Sequence, residues 1–215
     1  MIKLYYSNVE DLDLEKGYIK VSSQRKEKID FYKFAKDKKL SCGAALLLLK
    51  VLSNLGVEDP IFKKGEFNKP YISNYPDIHF NLSHSKNLVA CAVSDAPVGV
   101  DIEYIDFNID LDIAKHYFYN NEYDSILNSS KPQEEFFNYW VLKESYMKYT
   151  GLGFNLALDS FNIDLLSSRD IALKIDDKLI RNVKFSLFSL DSYKLAAASR
   201  YEVESVTELD INDLY

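Results

Sequence analysis

Three carboxylates and one lysine carry the chemistry available to this sequence. In Val98-Gly99-Val100-Asp101-Ile102-Glu103, branched apolar residues take every second place. That is the period of a strand, so Gly99, Asp101 and Glu103 share one face. Same-face neighbours stand about 6.5–7 Å apart, and two carboxylates at that spacing can flank one small cation with oxygens about 2.0–2.1 Å from magnesium. Gly99 removes a side chain from this face and is expected to leave room for a ligand. Alternating acids also occur on ordinary solvated strands, so the strand alone decides nothing.

The second cluster is Trp140-Val141-Leu142-Lys143-Glu144-Ser145-Tyr146-Met147-Lys148. Trp140, Glu144 and Lys148 lie four apart and share a helix face, with Lys143 beside them. A surface Glu-Lys pair would contribute a few tenths of a kcal/mol. Beside the strand carboxylates, Glu144 becomes a candidate third metal ligand and Lys148 a cation facing phosphate. A third cluster is Phe80-Asn81-Leu82-Ser83-His84-Ser85, where His84 follows an apolar strand and can donate to a phosphate oxygen. Lys69-Pro70 adds a positive charge in a restricted loop.

The elements that must position these groups follow from pattern. Residues 2–6 read as a strand, residues 22–36 as a helix opened by Ser22 or Ser23, and residues 40–55 as a buried helix stopped by Gly56. Strands are predicted at residues 78–82, 88–94 and 98–103, the last two joined as a hairpin through Asp95-Ala96-Pro97. Helices are predicted at 109–119, 121–127 and 134–149, the last closed by Gly151. Further strands are predicted at 160–163, 171–175, 183–190 and 193–199. The irregular alternation indicates an α+β fold and argues against a doubly wound parallel sheet.

The 215 residues carry a net charge of -7, which speaks against a nucleic-acid partner. The charge is uneven. Residues 20–39 hold eight basic residues against Glu27, Asp30 and Asp37, an excess of five, whereas residues 201–215 hold five acids and no base. An anionic ligand is expected near the basic segment. Cys42 and Cys91 sit in apolar surroundings and read as buried free thiols. No signal peptide opens the chain and its longest apolar run, residues 44–49, is too short to span a bilayer. A cytoplasmic protein without a membrane partner is expected.

Taken in order, Lys69-Pro70, Phe-Asn-Leu-Ser-His-Ser, Gly-Val-Asp-Ile-Glu and Trp-Val-Leu-Lys-Glu-Ser-Tyr-Met-Lys closely resemble the 4'-phosphopantetheinyl transferases, specifically the larger type that activates surfactin synthetase and similar systems. The resemblance covers nearly the whole chain. It implies two similar α+β halves in a pseudo-twofold monomer with the ligand between them, residues 1–103 and residues 104–215. It also implies the reaction: the 4'-phosphopantetheine of coenzyme A passes to a serine of an acyl or peptidyl carrier protein, releasing adenosine 3',5'-bisphosphate.

Carried over residue by residue, the resemblance assigns Asp101, Glu103 and Glu144 to magnesium on the coenzyme A pyrophosphate. Glu144 would also be base for the serine hydroxyl, and Lys148 would stabilise or protonate the departing phosphate. Ser83, His84 and Lys69 would meet phosphate oxygens, and Arg25 and Lys28 the 3'-phosphate. One departure is Leu40, where the family often carries arginine; Lys39 is adjacent. The carrier would dock on the second half, over a stretch containing Ile109, Leu111, Ile113, Tyr117, Phe118, Tyr119 and Tyr123. Two other readings remain open at this point: a metal-dependent phosphodiesterase or nuclease using the same three acids on water, and a non-catalytic coenzyme A binder.

Overall fold

Leu40, Leu47, Leu48, Val51 and Leu52 recur at helical spacing in a segment whose residues 40–48 are all buried, and this run organises the first half of the molecule. The structure, a computed structural model, describes residues 1–215 apart from the side chain of Phe154. Its elements begin with β1 (Ile2–Asn8), α1 (Leu14–Lys20), α2 (Ser23–Phe31) and α3 (Ala35–Asn54). Five strands follow: β2 (Phe62–Lys64), β3 (Pro70–Ile72), β4 (His79–Ser85), β5 (Leu88–Ser94) and β6 (Val98–Tyr104). Then come α4 (Asp112–Tyr117), α5 (Asn120–Asn128) and α6 (Pro132–Thr150). Strands β7 (Asn162–Ser167), β8 (Asp170–Ile175), β9 (Lys178–Ile180), β10 (Lys184–Leu190), β11 (Tyr193–Ser199) and β12 (Val203–Glu208) follow, and a 3-10 turn at Ile211–Leu214 comes last. The fold is α+β, as expected.

Two sheets hold the site. One runs β12-β1-β5-β4 and the other β10-β11-β6. In each, the first strand of the unit pairs antiparallel with the last, and the last with the one before it: β1-β5-β4 and β6-β11-β10. The same order thus occurs twice in topology, although no repeat is legible in the residues.

Alternation then sorts the side chains. Val89, Cys91 and Val93 of β5 join the α3 core, while Leu88, Ala90 and Ala92 face Val98, Val100 and Ile102 of β6 and Leu195 and Ala197 of β11. Ala196 and Ala198 on the other face of β11 meet the α6 core. The layers are therefore α3, first sheet, second sheet, α6. Among the described residues no helix is long and apolar enough to cross a membrane.

Helix ends obey local chemistry. Ser22 accepts from the Arg25 amide at the start of α2, Pro132 opens α6, and Gly151 at φ 78° closes it in the left-handed region. Two expectations need correction. The helix predicted at residues 22–36 is broken after Phe31, and α3 starts at Ala35, because Tyr32 and Phe34 take extended backbone. The hairpin predicted across Asp95-Ala96-Pro97 does not form: β5 already has β1 and β4 on its two edges, so β6 crosses to pair with β11. The hairpin instead joins β4 to β5 through Lys86-Asn87, with Lys86 at φ 49°.

Candidate functional site

Strand β6 turns Val98, Val100 and Ile102 into the interior between the sheets, which leaves Gly99, Asp101 and Glu103 toward α6. Gly99 corrects an expectation. A Cβ on it would lie 2.0 Å from the Ser145 carbonyl oxygen and 2.3 Å from the Tyr149 amide nitrogen. The absent side chain makes room for the helix backbone, not for a ligand, and so lets Glu144 and Lys148 come down onto the strand acids. Gly99→Ala must drive α6 off β6. It is expected to cost about 3 kcal/mol and most of the activity; an unchanged midpoint of unfolding in urea would contradict this.

Strand β4 meets the edge of β6 through side chains, since the two strands belong to different sheets. Asn81 Oδ1 accepts from the Val100 amide at 2.9 Å, and Ser85 Oγ accepts from the Tyr104 amide at 3.1 Å. Ser83 Oγ donates to Asp101 Oδ1 at 2.8 Å, and Ser85 Oγ donates to Glu103 Oε2 at 2.6 Å. The Lys148 ammonium donates to the same Asp101 Oδ1 at 2.5 Å and to Ser83 Oγ at 3.0 Å. Asp101 is 2 % exposed, and its other oxygen, Oδ2, is buried without a hydrogen-bond partner among the described residues. An orphaned carboxylate oxygen is costly in a protein interior, which makes this atom the most cation-seeking point of the site.

The neighbouring acids feel one another. Burial and then the Asp101 charge push Glu103 up to about 7, against the opposing Ser85 bond and Lys148. Burial and then Asp101 likewise raise Glu144. Among the described residues, no three His, Cys, Asp or Glu side chains converge closely enough to hold an ion; the Lys148 ammonium lies on Asp101. The donor set is all oxygen, which suits a hard divalent cation.

A pH effect follows in metal-free buffer. Below about 4.5, the ordinary value, folded and unfolded chains both protonate Glu103. From there to about 7 only the folded chain keeps the proton, so this group makes stability fall as pH rises through that window, then level off. The melting temperature is expected to show that fall, and Glu103→Gln to flatten it; equal slopes for the two proteins would refute it.

The phosphate-facing candidates lie along a run of cations. His84 is solvent-accessible at the end of β4; surrounding protein, then Lys148 and Lys28, hold its imidazole below the usual value. Burial, then Arg25 and Lys64, lower Lys28. Arg25 Nη1 reaches Ser41 Oγ at 3.5 Å. Lys64 on β2 belongs to this run and carried no motif by which sequence could find it. Lys69 faces elsewhere in part: its ammonium donates to the carbonyls of Val98 at 3.0 Å, Lys148 at 2.5 Å and Tyr149 at 3.3 Å. It thereby fixes the end of α6, and burial lowers it to about 8. Lys39 donates to the Glu10 carbonyl at 2.6 Å.

Lys143, adjacent to Glu144, is wholly buried. It pairs with Glu122 at 2.8 Å and donates to the carbonyls of Leu158 and Phe161. Glu122 accepts in turn from the Tyr119 and Ile163 amides. Sequence reading missed Glu122, although its place three residues into α5 is a capping signal. In the stretch expected to dock a carrier, Phe118 is core, stacked 5.8 Å from Phe136, whereas Tyr117 is exposed.

The sequence model of one family, described as the 4'-phosphopantetheinyl transferase superfamily, matches residues 97–198, which carry all four central side chains. Relatives extend the match. The 4'-phosphopantetheinyl transferase gsp of Aneurinibacillus migulanus is 37% identical over 202 residues, 90% of this chain and 81% of that protein. The 4'-phosphopantetheinyl transferase Sfp of Bacillus subtilis is 34% identical over 73% of this chain and 72% of its own. The 4'-phosphopantetheinyl transferase psf-1 of Bacillus pumilus is 34% identical over 84% and 79%. Among solved structures, Thermotoga maritima holo-[acyl-carrier-protein] synthase is matched partially, at TM-score 0.41 and 22% identity over 48% of this chain and 61% of that one. With the sequence relatives 34–37% identical over most of both proteins, the chain belongs to the 4'-phosphopantetheinyl transferases.

Proposed function

We propose that this enzyme takes 4'-phosphopantetheine from coenzyme A and places it on a serine of an acyl or peptidyl carrier protein, releasing adenosine 3',5'-bisphosphate. The observation that carries the reading is the orphaned Asp101 Oδ2, buried beside two carboxyls that resist ionisation together. These residues fit a magnesium ion in donor chemistry and not yet in spacing: once Lys148 leaves Asp101 and the three acids draw together, Asp101, Glu103 and Glu144 would hold it, and it would neutralise pyrophosphate charge. A site of one ammonium and three carboxyls repels a pyrophosphate unless such a cation is present, and then attracts it.

The side chains divide the remaining work. Glu144, raised by burial, accepts the proton of the carrier serine as its oxygen attacks the phosphorus that bears pantetheine. The bond from that phosphorus to the bridging oxygen breaks, and Lys148, leaving Asp101, donates to the departing phosphate. His84 and Ser83 bind pyrophosphate oxygens, and Lys69 holds the end of α6 beside them. Arg25 and Lys28, whose charges have no carboxylate partner among the described residues, take the 3'-phosphate. Residues 1–103 thus supply most of the coenzyme contacts, and residues 104–215 the catalytic helix and the carrier-docking surface.

The test incubates the protein with coenzyme A, magnesium and several unmodified carriers, and weighs the carriers. A gain of one phosphopantetheine is expected. Cleavage of coenzyme A with every carrier left unmodified would support a phosphodiesterase and overturn the reading.

A further inference from the structure

The corner between α2 and α3 exposes more apolar surface than folding explains. Phe31, the last residue of α2, is 91% exposed, and Phe34, just before α3, is 64% exposed. Tyr32 between them is half-buried, so it anchors the corner while its neighbours project. The end of α1 adjoins this corner, because Tyr18 donates to Asp30 Oδ2 at 2.6 Å; the next residue along, Ile19, is 75% exposed. Lys20, Lys33 and Lys36, one or two residues along the chain from these three, are exposed, and the Lys33 ammonium lies 5.8 Å from the Phe34 ring centre. Large apolar side chains left projecting on adjoining elements mark an interaction surface.

Its composition separates two kinds of partner. Protein interfaces concentrate Arg, Trp and Tyr and are depleted in lysine. Here the exposed cations are lysines and the projecting side chains are Phe and Ile, while Arg25 turns inward to Ser41. Phenylalanine at a loop tip can enter the acyl boundary of a bilayer while lysine stems extend and leave their ammoniums among anionic headgroups. We propose that this corner seats the enzyme reversibly on an anionic phospholipid surface. That no helix among the described residues is long and apolar enough to cross a membrane says nothing against contact with a bilayer's face. None of the residues involved belongs to the transfer site, so docking and catalysis are separable.

Sedimentation of the full chain with vesicles tests this. Vesicles of phosphatidylcholine with about one-third phosphatidylglycerol are expected to bind at least about tenfold more protein than phosphatidylcholine alone. In about 0.5 M salt, where screening shortens to a few Å, that excess should vanish. The double variant Phe31→Ser/Phe34→Ser should lose about tenfold of the binding, since it removes the inserted rings. Its circular dichroism spectrum and its transfer rate in solution should be unchanged. No binding of the parent to anionic vesicles, or equal binding of parent and variant, would overturn the proposal. So would a variant that loses only its affinity for an acidic carrier, which would make the corner a protein-docking surface.

Discussion

Replacing Asp101 by asparagine is expected to lower the rate of transfer by about three orders of magnitude while the protein still folds. Asparagine keeps the shape, and its carbonyl oxygen can still accept from Ser83 and Lys148. It removes the negative charge at a buried carboxylate oxygen that no group among the described residues satisfies. Lys148 is 26% exposed, so water compensates its lost partner and the melting temperature should move by only a few degrees. Stabilisation by magnesium and coenzyme A together should be strong in the parent and absent in the variant. A variant retaining a tenth of the parental rate would remove Asp101 from the reaction.

Lys143→Met is expected to act in the opposite way, on the fold first. Glu122 and Lys143 are both 0% exposed, and the pair is fully hydrogen-bonded, joining α5, α6 and the segment that ends at Ile163. Burial pushes Glu122 up and Lys143 down, while each partner opposes the shift of the other. Without the ammonium, Glu122 must be buried uncompensated or take up a proton. The loss should be about 3–5 kcal/mol, or about 10 °C in melting temperature. Adding Glu122→Gln should recover part of it. Unfolding in urea measures both variants, and a loss below about 1 kcal/mol would show that the pair is dispensable.

What could be read in advance was what alternation and helical spacing encode. Period two placed Asp101 and Glu103 on one face and Val98, Val100 and Ile102 on the other, as β6 shows. Spacing of four placed Glu144 and Lys148 together, and Gly151 marked the end of α6. Illegible features depend on approach in three dimensions. Gly99 could not reveal that a helix backbone would press on it. The partners of β5 and β6, β1 and β11, lie about ninety residues away along the sequence, so a short turn mimicked a hairpin. The break between α2 and α3 falls at Tyr32 to Phe34 without glycine or proline to announce it. Glu122 and Lys143 are 21 residues apart on different helices, and no local pattern ties them.

The seam between β4 and β6 has a consequence for how the enzyme breathes. The amides of Val100 and Tyr104 are sealed by the side chains of Asn81 and Ser85 and not by a neighbouring strand's carbonyls. Deuterium can reach them whenever the two sheet edges part slightly, with both sheets still intact. Their exchange is thus a local clock for that parting, running ahead of amides inside β5 and β11, and a ligand straddling the edges would slow the clock before it changed any other signal.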